Sequence, residues 1–237
     1  MLGGCRWLAL EVKYLDPVVR FYREQLQLEA DRRGDREVAF TVGKTDGGEL
    51  RLRRPQSVPR GGIHTHYAFA CPRDAYDEWY ARLDRELDLM EVEFGSMRSL
   101  YADDPEGNCL EIAGADPPAG EDGPSLSRLF EVVFEVESLQ AAERFYEDLG
   151  FDVVDRGKNR RRTRLSTGEF DLELWEPQLG LADARGGVHV DVGIEAADPE
   201  ASAATVADRA TKRETVDGGV QIRDPDGHYV TLVPPAG

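Results

Sequence analysis

The apolar positions of this 237-residue chain fall into short runs that switch between the two-residue period of strands and the 3.6-residue period of helices. Trp7 to Val12 reads as a strand. Asp16-Pro17 follows as a helix N-cap and first-turn proline, with Val18, Phe21, Tyr22 and Leu26 at helical spacing behind it. Glu37 to Val42 and Glu49 to Arg53 are strands around the turn Thr45-Asp46-Gly47-Gly48; Leu50 and Leu52 take one face of the second, Arg51 and Arg53 the other. Past a loop at Pro55 to Gly62 come a strand from His64 to Cys71 and an amphipathic helix from Asp74 to Leu89. Strands Arg98 to Ala102 and Asn108 to Ala113 flank the turn Asp104-Pro105-Glu106-Gly107.

The Gly/Pro-rich stretch from Gly114 to Ser127 reads as a linker, after which the same order recurs. Phe130 to Val136 is a strand, Ser138 caps a helix that ends at Gly150, and Arg160 to Leu165 and Phe170 to Trp175 are strands. Phe145-Tyr146 follows Phe21-Tyr22 by 124 residues, Gly186-Gly187 follows Gly61-Gly62 by 125, and the turn Asp224-Pro225-Asp226-Gly227 follows its counterpart by 120. Three landmarks at nearly constant offset define a tandem duplication. The expected domains are 1–115 and 128–237, joined by a linker at 116–127. Each holds two strand–helix–three-strand units, with helices near Asp16, Asp74, Ser138 and Asp198.

Composition narrows the partners. A net charge of −17, spread along the chain, repels nucleic acid and anionic membranes, and no apolar run reaches the length of a membrane span. The bases are nearly all arginine, and an acid-rich, lysine-poor surface resembles that of proteins from salt-loving microbes. Cys5, Cys71 and Cys109 are odd in number and far apart, and the N-terminus shows no signal segment. They read as reduced thiols of a cytoplasmic protein.

The candidate chemistry lies in Gly61 to Phe69, Gly-Gly-Ile-His-Thr-His-Tyr-Ala-Phe. Its two histidines, His64 and His66, share a face if the strand alternates regularly. Gly186 to Ile194, Gly-Gly-Val-His-Val-Asp-Val-Gly-Ile, is its degenerate copy.

Phe-Tyr on the first helix, Gly-Gly-x-His-x-His-x-Ala-Phe, and Leu-Tyr-x-x-Asp-Pro-x-Gly-Asn-x-x-Glu together resemble the vicinal oxygen chelate superfamily. That group includes glyoxalase I, extradiol dioxygenases, fosfomycin-resistance transferases and bleomycin-resistance proteins. The resemblance implies an α+β fold of tandem glyoxalase-like domains, in which paired β-α-β-β-β units form a curved mixed sheet. It further implies a divalent metal (Fe, Mn, Ni or Zn) in the cup of the sheet, chelating two neighbouring oxygens of a small molecule. Imidazole and carboxylate suit such ions, and three protein donors leave positions open for the substrate.

By register of the motifs, the resemblance makes His66 and Glu111 metal ligands, with Trp7 at the position of the first ligand. In the second half Glu131, Asp191 and Thr231 take the three ligand positions and Glu173 that of an additional glutamate, so that Glu131, Glu173 and Asp191 form a second, oxygen-rich set. The histidine of ring-cleaving relatives has no match, since Val92, Glu93 and Phe94 fill its window. Trp7, His64, Tyr101 and Arg51 are the candidates for contact with substrate. Core packing is the alternative for the aromatics, and pairing with surface acids the alternative for Arg51, Arg53, Arg160, Arg162 and Arg164. His228, in a turn, is expected to be solvated. Two functions remain open, a metal-dependent enzyme and a metal-free binding protein of the bleomycin-resistance kind, as monomer or homodimer.

Overall fold

The computed structural model describes residues 1–43, 47–55, 62–115, 124–158, 161–177 and 187–235, the side chains of 187–190 excepted. The expected turn at Thr45-Asp46, most of the 55–62 loop, Arg160 and Gly186 lie outside the described residues, as do 116–123 of the linker.

Four strand–helix–three-strand units follow one another. The first is β1 (Leu2–Glu11), α1 (Leu15–Glu24), β2 (Glu29–Arg33), β3 (Glu37–Thr41) and β4 (Glu49–Arg53). The second is β5 (Ile63–Pro72), α2 (Tyr76–Leu83), β6 (Met90–Phe94), β7 (Met97–Asp103) and β8 (Cys109–Ala115). The third is β9 (Arg128–Glu135), α3 (Leu139–Leu149), β10 (Asp152–Arg156), β11 (Arg162–Ser166) and β12 (Asp171–Trp175). The fourth is β13 (Gly187–Ala196), α4 (Pro199–Ala204), β14 (Lys212–Val216), β15 (Gly219–Arg223) and β16 (Tyr229–Val233).

Helix starts follow the sequence in the third and fourth units. Ser138 Oγ and Asp198 Oδ1 accept from the backbone N–H three residues on, at 3.4 and 3.0 Å. Gly150 closes α3 at φ 123°, a conformation that glycine adopts without a Cβ clash. The first helix differs: Tyr14 is its N-cap, and Asp16 sits inside the first turn, paired with Arg32 at 2.8 Å. The second is shorter than expected, because a 3-10 turn at Arg73–Ala75 opens it and α2 stops at Leu83.

The strands form two curved, mixed, eight-stranded sheets, and each takes one unit from either half of the sequence. In one, β1 pairs antiparallel with β13, joining the first unit to the fourth. In the other, β5 pairs antiparallel with β9, joining the second unit to the third. A short ladder, His64 opposite Gly187 and Ile63 opposite Val188, connects the two sheets.

The buried tyrosine hydrogen bonds run the other way, within each half. Tyr22 of α1 is fully buried, its hydroxyl bonded to that of Tyr67 on β5 and, at 3.0 Å, to Asp104 in the turn before β8. The repeat reproduces this contact: Tyr146 of α3 donates to Asp224 at 2.8 Å. The Phe-Tyr pair and the Asp-Pro-acid-Gly turn are therefore two sides of one junction between units.

Strand β5 departs from simple alternation. Its register against β9 shifts between His64, opposite Phe134, and His66, opposite Val133. A bulge of this kind moves the next side chain to the other face. His64 thus turns into the core, 5.8 Å from the Tyr67 ring, while His66 faces the concave side. Burial drives the His64 imidazole down to about pKa 3, so it is a neutral core residue and not the substrate contact that regular alternation implied.

His228 is likewise not solvated. It is fully buried, stacked on Phe134 at 4.1 Å with the planes 3° apart, and its Nε2 lies 2.9 Å from Glu135 O. Burial lowers its pKa, against the opposing pull of Asp224 and Asp226 and with the help of Arg223; His64 is a further titratable neighbour. A histidine whose folded pKa lies below its unfolded value of about 6.5 contributes stability that is present above that pH and lost as the pH falls through the folded pKa. Between pH 7.5 and 5.5 the urea midpoint of the unaltered chain is expected to drop relative to that of His228→Gln, because His66 and Glu131, both raised above their ordinary values, act on the two proteins alike. Parallel curves for the two proteins would assign the acid sensitivity elsewhere.

Candidate metal centre

Backbone register brings three donors together. On β5, Ala68 lies opposite Glu111 of β8 on one side and Glu131 of β9 on the other. The two glutamates flank a residue too small to separate them, and His66, two positions along the same face, completes the triangle. His66 Nε2 is 3.3 Å from Glu111 Oε2 and 3.6 Å from Glu131 Oε1. One donor atom from each residue lies within 4.8 Å of the others, and all three side chains are buried.

The neighbours orient this group. The His66 ring meets Tyr101 and Trp175 edge to face at 5.4 and 5.6 Å. Arg164 pairs with Glu131 Oε2 at 2.8 Å and with Glu173 Oε1 at 2.7 Å. Arg162 reaches Glu173 Oε1 at 2.9 Å and Asp155 at 2.7 Å. A cavity of about 170 Å³ opens over the group, its apolar side made by Phe94, Met97, Phe130 and Trp175.

Electrostatics follow from burial and crowding. Burial opposes the charged form of His66, but Glu111 and Glu131 outweigh it and raise the imidazole to about pKa 9. Glu131 is raised to about 7, by burial first and by the charges of Glu173 and Glu111, beyond what the His66 hydrogen bond and Arg164 offset. Glu111 is lowered despite burial, because His66 and the Tyr101 phenol stabilise its anion. His66 Nε2 thus faces two carboxylates, at a place where positive charge is favoured.

The donor chemistry fits a divalent ion. One imidazole and two carboxylates, all buried, are an acceptable set for Mn, Fe, Ni or Zn. His66, Glu111 and Glu131 would hold it.

The other cup is different. Trp7 takes the place of Glu131, Arg51 that of Glu173, Asp191 that of His66 and Thr231 that of Glu111, as the strand registers show. Trp7 Nε1 donates to Asp191 at 2.9 Å, Thr231 Oγ1 donates to Asp191 at 2.8 Å, and the Arg51 guanidinium lies 4.0 Å over the indole. A Cβ on Gly193 would come within 2.3 Å of the indole ring, which is why glycine stands where the first copy has Ala68. Burial raises the Asp191 pKa against these hydrogen bonds.

The sequence-based grouping is therefore corrected. Glu131 and Glu173 stand beside His66 and Glu111, while Asp191 stays apart from them with Trp7 and Thr231. Of the expected substrate contacts, only Tyr101 lines the cavity over the donors; Trp7 and Arg51 fill the opposite cup. Phe94, Met97, Phe130 and Trp175 were not anticipated as lining. Arg162 and Arg164 line the cavity and pair with buried Glu173, and Arg162 also keeps the surface acid Asp155 as a partner. The repeat register with Trp7 already gives Glu131 a first-ligand position; what it does not give is the pairing of β5 with β9 that joins Glu131 to His66 and Glu111.

No protein-family model matches the chain. Among solved structures it is similar to a protein of Bacillus subtilis subsp. subtilis str. 168 whose dioxygenase activity is a provisional assignment. The two are 18% identical, with a TM-score of 0.74 over 98% of this chain and 86% of that one. Glyoxalase I from Zea mays is similar at 19% identity and a TM-score of 0.69, over 98% of this chain and 92% of the plant chain. With two curved sheets built from four β-α-β-β-β units, the chain has the tandem glyoxalase-like fold that these structures share.

Proposed function

We propose that this chain is a divalent-metal-dependent enzyme acting on a small molecule with two neighbouring oxygens, and that its reaction takes place in the cup between β5, β8 and β9. The observation that carries this reading is the convergence of His66, Glu111 and Glu131 at the floor of the cavity. When bound, the ion supplies Lewis-acid polarisation of the paired substrate oxygens. His66, Glu111 and Glu131 fix its position, and Tyr101 and Trp175 hold the imidazole edge to face. Phe94, Met97 and Phe130 keep water from the reacting end and offer an apolar wall to the substrate.

Metal analysis tests this reading. Protein purified without chelator is expected to carry up to one equivalent of Fe, Mn, Ni or Zn. If the purified chain holds no metal and none is taken up on titration, the enzyme reading fails. One observation favours a second reading for that outcome: the cup already balances its own acids with His66, Arg162 and Arg164. The chain would then be a metal-free protein that sequesters a small molecule.

A cytoplasmic setting fits three buried, unpaired cysteines whose thiols burial pushes up to about 12. No helix among the described residues is long and apolar enough to cross a membrane.

A further inference from the structure

Glu173 borders the same cavity as the three donors yet stands outside their group. Both of its carboxylate oxygens are committed. Oε1 accepts from Arg162 Nη1 at 2.9 Å and from Arg164 Nε at 2.7 Å, and Oε2 accepts from Trp175 Nε1 at 2.6 Å. Glu131 is held differently: Oε2 pairs with Arg164, while Oε1 stays turned toward His66.

The two arginines are placed for this by strand register. Arg162 and Arg164 stand two apart on β11, opposite Trp175 and Glu173 of β12, so both guanidiniums lie on the concave face beside the same carboxylate. Asp155 braces Arg162 from the far side at 2.7 Å. The opposite cup supplies a comparison. Arg51 takes the position of Glu173 there, and the neighbouring strand carries Glu37 and Ala39 where this cup has Arg162 and Arg164. The arginine pair accompanies the acid and is absent where the acid is absent.

We propose that Arg162 and Arg164 form a ligand lock. They withdraw Glu173 from the metal set and hold the number of protein donors at three, so that one side of the ion stays open to substrate. This inference rests on the metal reading above. Carboxylate count is a main determinant of the affinity of an oxygen-rich site, and the lock therefore trades metal affinity for open coordination. Charge acts in the same direction, because each guanidinium lowers the negative potential at the donors.

Mn(II) titration of the full chain tests the lock, using calorimetry and the electron paramagnetic resonance signal of the free ion. Glu173→Gln in the otherwise unchanged chain is expected to weaken binding by less than about tenfold, through loss of a neighbouring charge and not of a donor. The double variant Arg162→Gln/Arg164→Gln is expected to bind at least about tenfold tighter, and adding Glu173→Gln to it should cancel most of that gain. The visible absorption of Co(II) should change in the double variant and revert in the triple one. Tenfold weakening by Glu173→Gln alone would overturn the lock by showing that Glu173 is a donor. Unchanged or weaker binding in the double variant would overturn it as well. Should the double variant fail to fold by circular dichroism, Arg164→Gln alone carries the same expectations at smaller size. Uptake by the double variant but not by the unaltered chain would sustain the lock and sink the metal reading for the native protein. No uptake by either would sink both.

Discussion

Glu131→Ala is expected to release metal as completely as His66→Ala, although Glu131 belongs to the opposite half of the sequence. Removing one of three protein donors should weaken binding by more than about 100-fold, beyond the 10- to 100-fold typical of residues that merely orient donors. Turnover of any substrate identified should fall to background. Glu111→Ala is expected to behave alike. Asp191→Ala is the informative control: it occupies the position of His66 in the other cup, hydrogen-bonded to Trp7 and Thr231, and should leave metal content unchanged. Metal lost from Asp191→Ala and kept by Glu131→Ala would place the centre in the wrong cup.

Asp104→Ala should be the most damaging substitution outside the centre. The Asp104 carboxylate is 4% exposed, and it accepts from Glu106 N at 2.8 Å, Asn108 N at 2.9 Å, Asn108 Nδ2 at 2.8 Å and Tyr22 Oη at 3.0 Å. Deleting it strands several buried donors at a cost of about 1–3 kcal/mol each, though not additively. A net loss of about 3–5 kcal/mol is expected, which for a chain of this size lowers the melting temperature by about 10 °C or more. Asp104→Asn keeps an acceptor for the backbone donors and should cost about half as much. Because the turn launches β8, which carries Glu111, metal affinity should fall with stability. A loss below about 1 kcal/mol for Asp104→Ala would mean that the turn is held by its backbone alone.

The sequence shows the units clearly and their assembly poorly, for physical reasons. Periodicity, caps and turn glycines are local, so α3, β5 and the Asp-Pro-acid-Gly turns can be read from the sequence pattern within a residue or two, whereas β1 begins five residues before the expected Trp7. The ladder of β5 against β9 depends on contacts across the linker, and no local pattern encodes it. Glu131 was therefore grouped with Asp191 rather than with His66. The bulge at Thr65 is a second limit: alternation put His64 and His66 on one face, and one extra residue in the strand separates them. Arg162 and Arg164 show a third. An alternating pair of arginines in an acidic chain reads as surface, and only the register opposite Glu173 turns it inward. His66 and Glu111 were legible because both sit in motifs bound to their own turns.

The pairing of each unit with one from the opposite half also bears on how such a chain can change. If two separate copies of one half assembled in this way, their two cups would share one gene, and every substitution would strike both. Fusion into a single chain removes that constraint. Trp7 and Gly193 could be fixed together in one cup, filling it, while Glu131 and Ala68 kept the other open. On the reading proposed above, the cup of Trp7 and Asp191 and the cup of His66 and Glu131 can then be selected separately, neither with a twin to maintain.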